Sequence, residues 1–161
     1  MSIIVEIITI LLMILIFFQD VKSRMIHILL PLGLFLVGMF YRYDLQLDYI
    51  SMLYSLLFVV VVLLGLFLYT LLKKNDKKSF NKSIGLGDIL FFIAVIPFFD
   101  ERNYFLFFIT GMLFSLLAFI ILSFFTKSEL IPLAGFLALY FIVLKILSYS
   151  INLNLFLNPI I

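Results

Sequence analysis

Apolar residues in this chain fall in long uninterrupted blocks separated by short polar breaks, with no clear amphipathic stripe in any block. The blocks cover residues 3–18, 26–41, 49–72, 89–99, 105–125 and 130–149. A hydrocarbon layer of about 30 Å is crossed by roughly 20 apolar residues in a helix. Lipid offers no partner for open backbone groups, so each crossing block must close its own hydrogen bonds as a helix. The third, fifth and sixth blocks are long enough as they stand, and the first two reach that length by recruiting flanking residues. The fourth is too short unless it begins at Ile84 and takes in the glycines that follow. Residues 150–161 are too few to cross and are expected along the outer interface. The pattern predicts an all-α, polytopic membrane helix bundle of about six transmembrane helices. It forms one domain over residues 1–161, with a polar loop at about 73–88.

Composition supports this and removes several chemistries. Hydrophobic residues make up 66% of the chain and charged residues 12%, where a soluble domain carries roughly 25% charge. The absence of cysteine excludes disulfides, thiolate metal sites and a cysteine nucleophile. A single histidine, His27, argues against a dedicated zinc site, so no metal or cofactor is expected. The net charge of +2 is too small to point to nucleic acid. Its distribution is more informative. Of 11 basic residues, eight lie in alternate connections (Lys22, Arg24, Lys73, Lys74, Lys77, Lys78, Lys82 and Lys127). Only Arg42 and Arg102 lie in the others, beside Asp44, Asp48, Asp100 and Glu101, while Lys145 falls within the last block. The positive-inside rule puts the lysine-rich connections in the cytoplasm and both termini outside. A cleaved signal peptide is a rival reading of the first block, but no cationic stretch precedes it and no small-residue cleavage site follows. The lysines of the polar loop fix topology, with docking of a partner or of anionic lipid as the alternative.

Ionisable groups at or within membrane spans are costly and are the first candidates for function. Glu6 is about 21 Å along the helix from Asp20, and Lys145 about 24 Å from Glu129; both are expected to snorkel to the outer interface. Glu129 reads as a helix-start acid favoured by the helix dipole. Asp20 and Asp88 differ, because the topology places both at the cytoplasmic ends of their helices and at similar depth. Two adjacent carboxyl groups do not readily both ionise, so such a pair shares a proton. One member then activates water while the other, protonated, polarises a peptide carbonyl. The competing reading is two ordinary interfacial acids, Asp20 paired with Lys22 or Arg24 and Asp88 capping its helix. Gly85 and Gly87 weigh toward the first reading. Glycine permits unusual backbone angles and close approach of another chain, and a helical substrate must be extended before its peptide bond can be reached.

Three segments resemble the type IV prepilin and preflagellin peptidases, membrane aspartyl proteases of the GxGD type. Asp20-Val21-Lys22-Ser23-Arg24-Met25-Ile26 is similar to the family's first aspartate motif, and Gly85-Leu86-Gly87-Asp88 matches the second in full. Ile131-Pro132-Leu133-Ala134-Gly135-Phe136-Leu137-Ala138-Leu139 is similar to the closing segment. The chain departs from the pattern at His27-Ile28, where Pro-Asn is usual, at Leu90 in place of lysine, and at Ala134-Gly135 in place of Gly-Pro. These departures leave both aspartates in place and bear on substrate choice.

The resemblance implies an aspartic endopeptidase of the prokaryotic cytoplasmic membrane that removes short basic leaders from prepilin-like proteins at the cytoplasmic face. Asp20 and Asp88 would be the catalytic pair, Gly85 and Gly87 would shape the cleft, and Lys22 and His27 are possible auxiliaries. Partners would be prepilin-like substrates and membrane lipid. The cysteine-containing methylating segment of some members does not occur in these residues, so cleavage without methylation is implied. No His-Glu-x-x-His metal motif and no glycine-flanked serine with an internal histidine is present. Presenilin-like enzymes share GxGD but carry the first aspartate in a different motif. The alternative from another class is a catalytically silent membrane scaffold of a pilus or secretion assembly, or a small transporter.

Overall fold

The computed structural model describes residues 3–74, 85–124, 132–151 and 156, and these are all-helical. Six helices follow one another: α1 (Ile3–Ser23), α2 (Leu29–Asp44), α3 (Ile50–Lys74), α4 (Leu86–Val95), α5 (Glu101–Ser123) and α6 (Leu133–Ile151). A single 3-10 turn, Ile96–Phe98, extends α4. Three stretches are long and apolar enough to cross a membrane, Ile3–Ser23, Ile50–Thr70 and Glu101–Ser123; Leu86–Phe98 and Leu133–Ser148 are shorter apolar helices. The protein is an integral membrane bundle. Most of the polar loop expected at 73–88, Lys127, Glu129 and most of the tail at 150–161 lie outside the described residues.

Local chemistry explains where the helices stop. Arg24 follows α1 in the left-handed region (φ 53°) and donates its backbone N–H to Asp20 O at 2.9 Å. This is the left-handed cap that glycine usually supplies. Ser23 Oγ donates to Gln19 O at 2.7 Å and holds the same turn closed. At the far end of the fourth apolar block, Pro97 lacks an N–H and its ring crowds the preceding turn, so α4 tightens into the 3-10 turn and ends. With 10 helical residues and three in the turn, this segment is about 21 Å long. That is short of the hydrocarbon thickness.

α1 packs most extensively on α6; α2 lies against α1 and α4; α5 lies against α6, and α3 is peripheral. Phe99 stacks on Phe107 with ring centroids 4.9 Å apart and meets Phe141 edge-on at 5.7 Å. Phe156 closes this aromatic cluster, 5.0 Å from both Phe99 and Phe141. Gly38 gives Phe98 and Pro97 the space to touch α2, since a Cβ there would lie 2.7 Å from Phe98 Cε2.

One buried side chain shows which connections share an end of the bundle. Arg42, 1% exposed, donates from Nε and Nη2 to Asp48 O at 2.9 and 2.6 Å and from Nη1 to Phe99 O at 3.2 Å. Nη2 also contacts Ser51 Oγ. The α2–α3 and α4–α5 connections therefore meet through a single guanidinium, as the alternation of charge along the chain requires. Glu6 and Lys145 correct an expectation. They do not snorkel apart but pair across α1 and α6 at 3.5 Å, with the Lys145 ammonium 4.6 Å above the Phe156 ring. A charge that finds a partner within the bundle has no need to reach the interface.

Candidate active site

α1 runs toward the end of the bundle opposite Arg42, and its buried face is formed by Val5, Thr9, Met13, Ile16 and Asp20. The first four follow helical spacing and pack as an apolar stripe, so the same periodicity turns Asp20 inward, where it is 5% exposed. A buried carboxyl must find hydrogen bonds. Asp20 Oδ2 accepts the backbone N–H of Gly135 at 2.7 Å. Asp88, in the first turn of α4, sends Oδ1 to the backbone N–H of Ala134 at 3.0 Å. Its other oxygen, Oδ2, faces Gly85 at the start of α4, 3.2 Å from where a Cβ would stand.

The two aspartates thus bind consecutive amides in the first turn of α6. The first N–H groups of a helix have no partner within it and form its positive pole. Here that pole is satisfied from two other helices, and the two carboxyl groups are close enough for the charge of Asp20 to act on Asp88. The separation of 46 and 115 residues in sequence between donors and acceptors makes this a product of the tertiary fold.

Gly85 and Gly87 contribute space rather than unusual angles. Gly85 is extended (φ −70°, ψ 140°), and no glycine among the described residues has positive φ. A Cβ on Gly85 would lie 3.2 Å from Asp88 Oδ2, and one on Gly87 3.2 Å from the Cβ and Cδ1 of Ile26. Gly87 lets α4 start close to the turn that follows α1, and Gly85 leaves room for the Asp88 carboxyl. Gly135 is tighter still in its consequence, because a Cβ there would lie 3.2 Å from both Cβ and Oδ2 of Asp20 and 3.4 Å from Phe17 O.

Lys22 and His27 stand elsewhere. Both line an open groove between α1 and the start of α2, on the outer face of α1. The cation whose charge bears on Asp20 is Arg24. Sequence reasoning quoted Ala134 and Gly135 within the closing segment but gave them no role. The available signal was a proline followed within three residues by two small residues at a helix start, a place where backbone amides are left open to another group.

A bundle of apolar helices that seats two carboxyl groups on the pole of one helix is a membrane protein with a buried acidic site at one end. The model of the type IV leader peptidase family matches residues 7–126, and the chain belongs to that family and is a peptidase. The match takes in Asp20, the glycines and Asp88, while the amides of Ala134 and Gly135 lie beyond it. Comparison with curated proteins and with solved structures found no match.

Proposed function

We propose that this peptidase is an intramembrane aspartyl endopeptidase that cuts short basic leaders from prepilin-like substrates at the cytoplasmic face, with Asp20 and Asp88 as its catalytic pair. The observation that carries the reading is the seating of both carboxyl groups on adjacent amides at one helix pole. Each aspartate is held by one oxygen, and the pair acts as one titrating unit with a shared proton. The ionised member takes a proton from water as its oxygen attacks the scissile carbonyl carbon; the protonated member gives its proton to the carbonyl oxygen. Collapse of the tetrahedral intermediate returns a proton to the leaving nitrogen. The eight-to-two distribution of basic residues between connections supports the cytoplasmic placement. A leader bearing positive charge would wait on that side, followed by an apolar helix in the membrane.

The test is cleavage of a prepilin-like substrate by purified variants. Asp20→Asn and Asp88→Asn each abolish cleavage, and the double variant is scarcely worse than either, because members of one catalytic unit are non-additive. Asp100→Asn, at the opposite end of the bundle, retains activity. Near-parent cleavage by Asp20→Asn or Asp88→Asn refutes the aspartyl mechanism. A parent protein that cleaves no prepilin-like substrate favours the scaffold reading.

A further inference from the structure

We propose that the groove between α1 and the start of α2 is a binding site for one anionic phospholipid. The groove has a volume of about 470 Å³, within the range of pockets that enclose a small ligand. Leu15 and Phe18 of α1 face Leu29 and Leu30 of α2 across it, and Lys22 and His27 stand at its rim. Both walls are graded in the same sense. Along α1 the order is Leu15, Phe18, Gln19, Lys22, about 10 Å from first to last, and along the facing segment His27 precedes Leu29 and Leu30. The polar ends of the two walls coincide. They are tied together where the His27 backbone N–H donates to Gln19 Oε1 at 3.0 Å.

An apolar trough about 10 Å deep with a cation at one end has the polarity of a lipid, chain inward and phosphate at the surface. Basic pockets between membrane helices recognise anionic headgroups in this way. The groove does not serve the aspartates. Its α1 residues centre about 150° around the helix from Asp20, so an occupant sits on the lipid side of α1 with its phosphate beside Lys22. A substrate peptide bond placed here lies across α1 from the Asp20 carboxyl group.

The chain contains no tryptophan, so one introduced indole reports the groove without background. Leu29→Trp protein is placed in vesicles of equal parts phosphatidylglycerol and phosphatidylcholine, with bromine on the chains of one lipid or the other. Brominated phosphatidylglycerol quenches with about fivefold higher apparent affinity, the factor expected of one lysine at a membrane surface. Lys22→Gln in the same background removes the difference. Leu113→Trp, on the exposed face of α5, is quenched equally by both lipids. If Leu29→Trp does not fold, Leu15→Trp reads the opposite wall. Equal quenching in the groove, a preference that survives Lys22→Gln, or the same preference at Leu113→Trp overturns the proposal. So does loss of the preference on adding inorganic phosphate at constant ionic strength, which makes the groove a free-anion site, or on adding a prepilin-like peptide, which makes it a substrate site. The readout requires no cleavage, so it stands or falls apart from the peptidase mechanism.

Discussion

Gly135→Ala tests the site at its most constrained atom. The added methyl group would lie 3.2 Å from both Cβ and Oδ2 of Asp20 and 3.4 Å from Phe17 O, inside the roughly 3.5–4.0 Å at which carbon contacts are comfortable. Phe17 O belongs to the α1 backbone and cannot move alone, so the shift falls on the Asp20 side chain or on the α1–α6 spacing. Either lengthens the 2.7 Å bond from Gly135 N–H to Oδ2. A hydrogen bond to a charged group contributes about 1.5–3 kcal/mol, and each 1.36 kcal/mol is tenfold in rate. The expected loss in kcat/KM is therefore about 10- to 100-fold, carried by kcat because in the proposed mechanism Asp20 acts on the reacting atoms. Gly65→Ala is the matched control. It adds the same methyl group in a helix where nothing lies within 4 Å, and helix propensity favours it by about 1 kcal/mol. Steady-state cleavage of a prepilin-like substrate in lipid reads both. Parent-like kcat/KM for Gly135→Ala would refute the assignment of Asp20's anchor, as would equal impairment by Gly65→Ala.

Three further outcomes are expected. Glu6→Leu or Lys145→Leu alone removes one charge of a pair whose side chains are 18% and 11% exposed and lowers stability by up to about 3 kcal/mol, whereas the double substitution lies closer to the parent; thermal unfolding in detergent decides this. Ser23→Cys and Asp100→Cys label with an impermeant maleimide from opposite sides of the membrane, Ser23→Cys from the cytoplasm, and labelling of both from one side breaks the alternating topology. Cleavage passes through a maximum with pH, because only the singly protonated pair holds both a base and an acid. A chelator leaves that profile unchanged, and activity lost to the chelator and restored by zinc contradicts the mechanism.

The helices were legible because lipid imposes a length on apolar runs, and each of the six blocks corresponds to one helix. Their ends were less so. The first block stops at residue 18 by hydropathy, yet α1 runs to Ser23, since a cap at Arg24 and backbone hydrogen bonding, not apolarity, decide where it ends. Asp20 and Asp88 were legible through their motifs and shared depth. The amides that hold them were not, because a backbone N–H carries no residue identity. Its availability depends on α6 beginning at Leu133 beside two other helices. The Glu6–Lys145 pairing and the burial of Arg42 were not legible for a related reason. One chain position shows the cost of burying a charge, and only the packed neighbour shows how that cost is met.

The aspartates combine a structural job with the proposed catalytic one, and substitution can separate the two. The opening turn of α6 carries N–H groups with no helical acceptor, and two of these are satisfied by Asp20 and Asp88. The pair is thus an N-terminal cap supplied in trans as well as the proposed catalytic unit. Asparagine retains an acceptor oxygen of nearly the same reach, so Asp20→Asn keeps the cap and loses only the proton chemistry. Alanine removes both. Asp20→Ala should therefore lower stability by about 0.5–2 kcal/mol, the cost of a lost cap, while Asp20→Asn unfolds near the parent temperature, although neither cleaves. If the alanine and asparagine variants unfold alike, the Gly135 amide is satisfied by another group and the anchoring of Asp20 is incidental to the fold. If they differ as expected, the inactivity of the asparagine variant belongs to the carboxyl group itself and not to a loosened bundle.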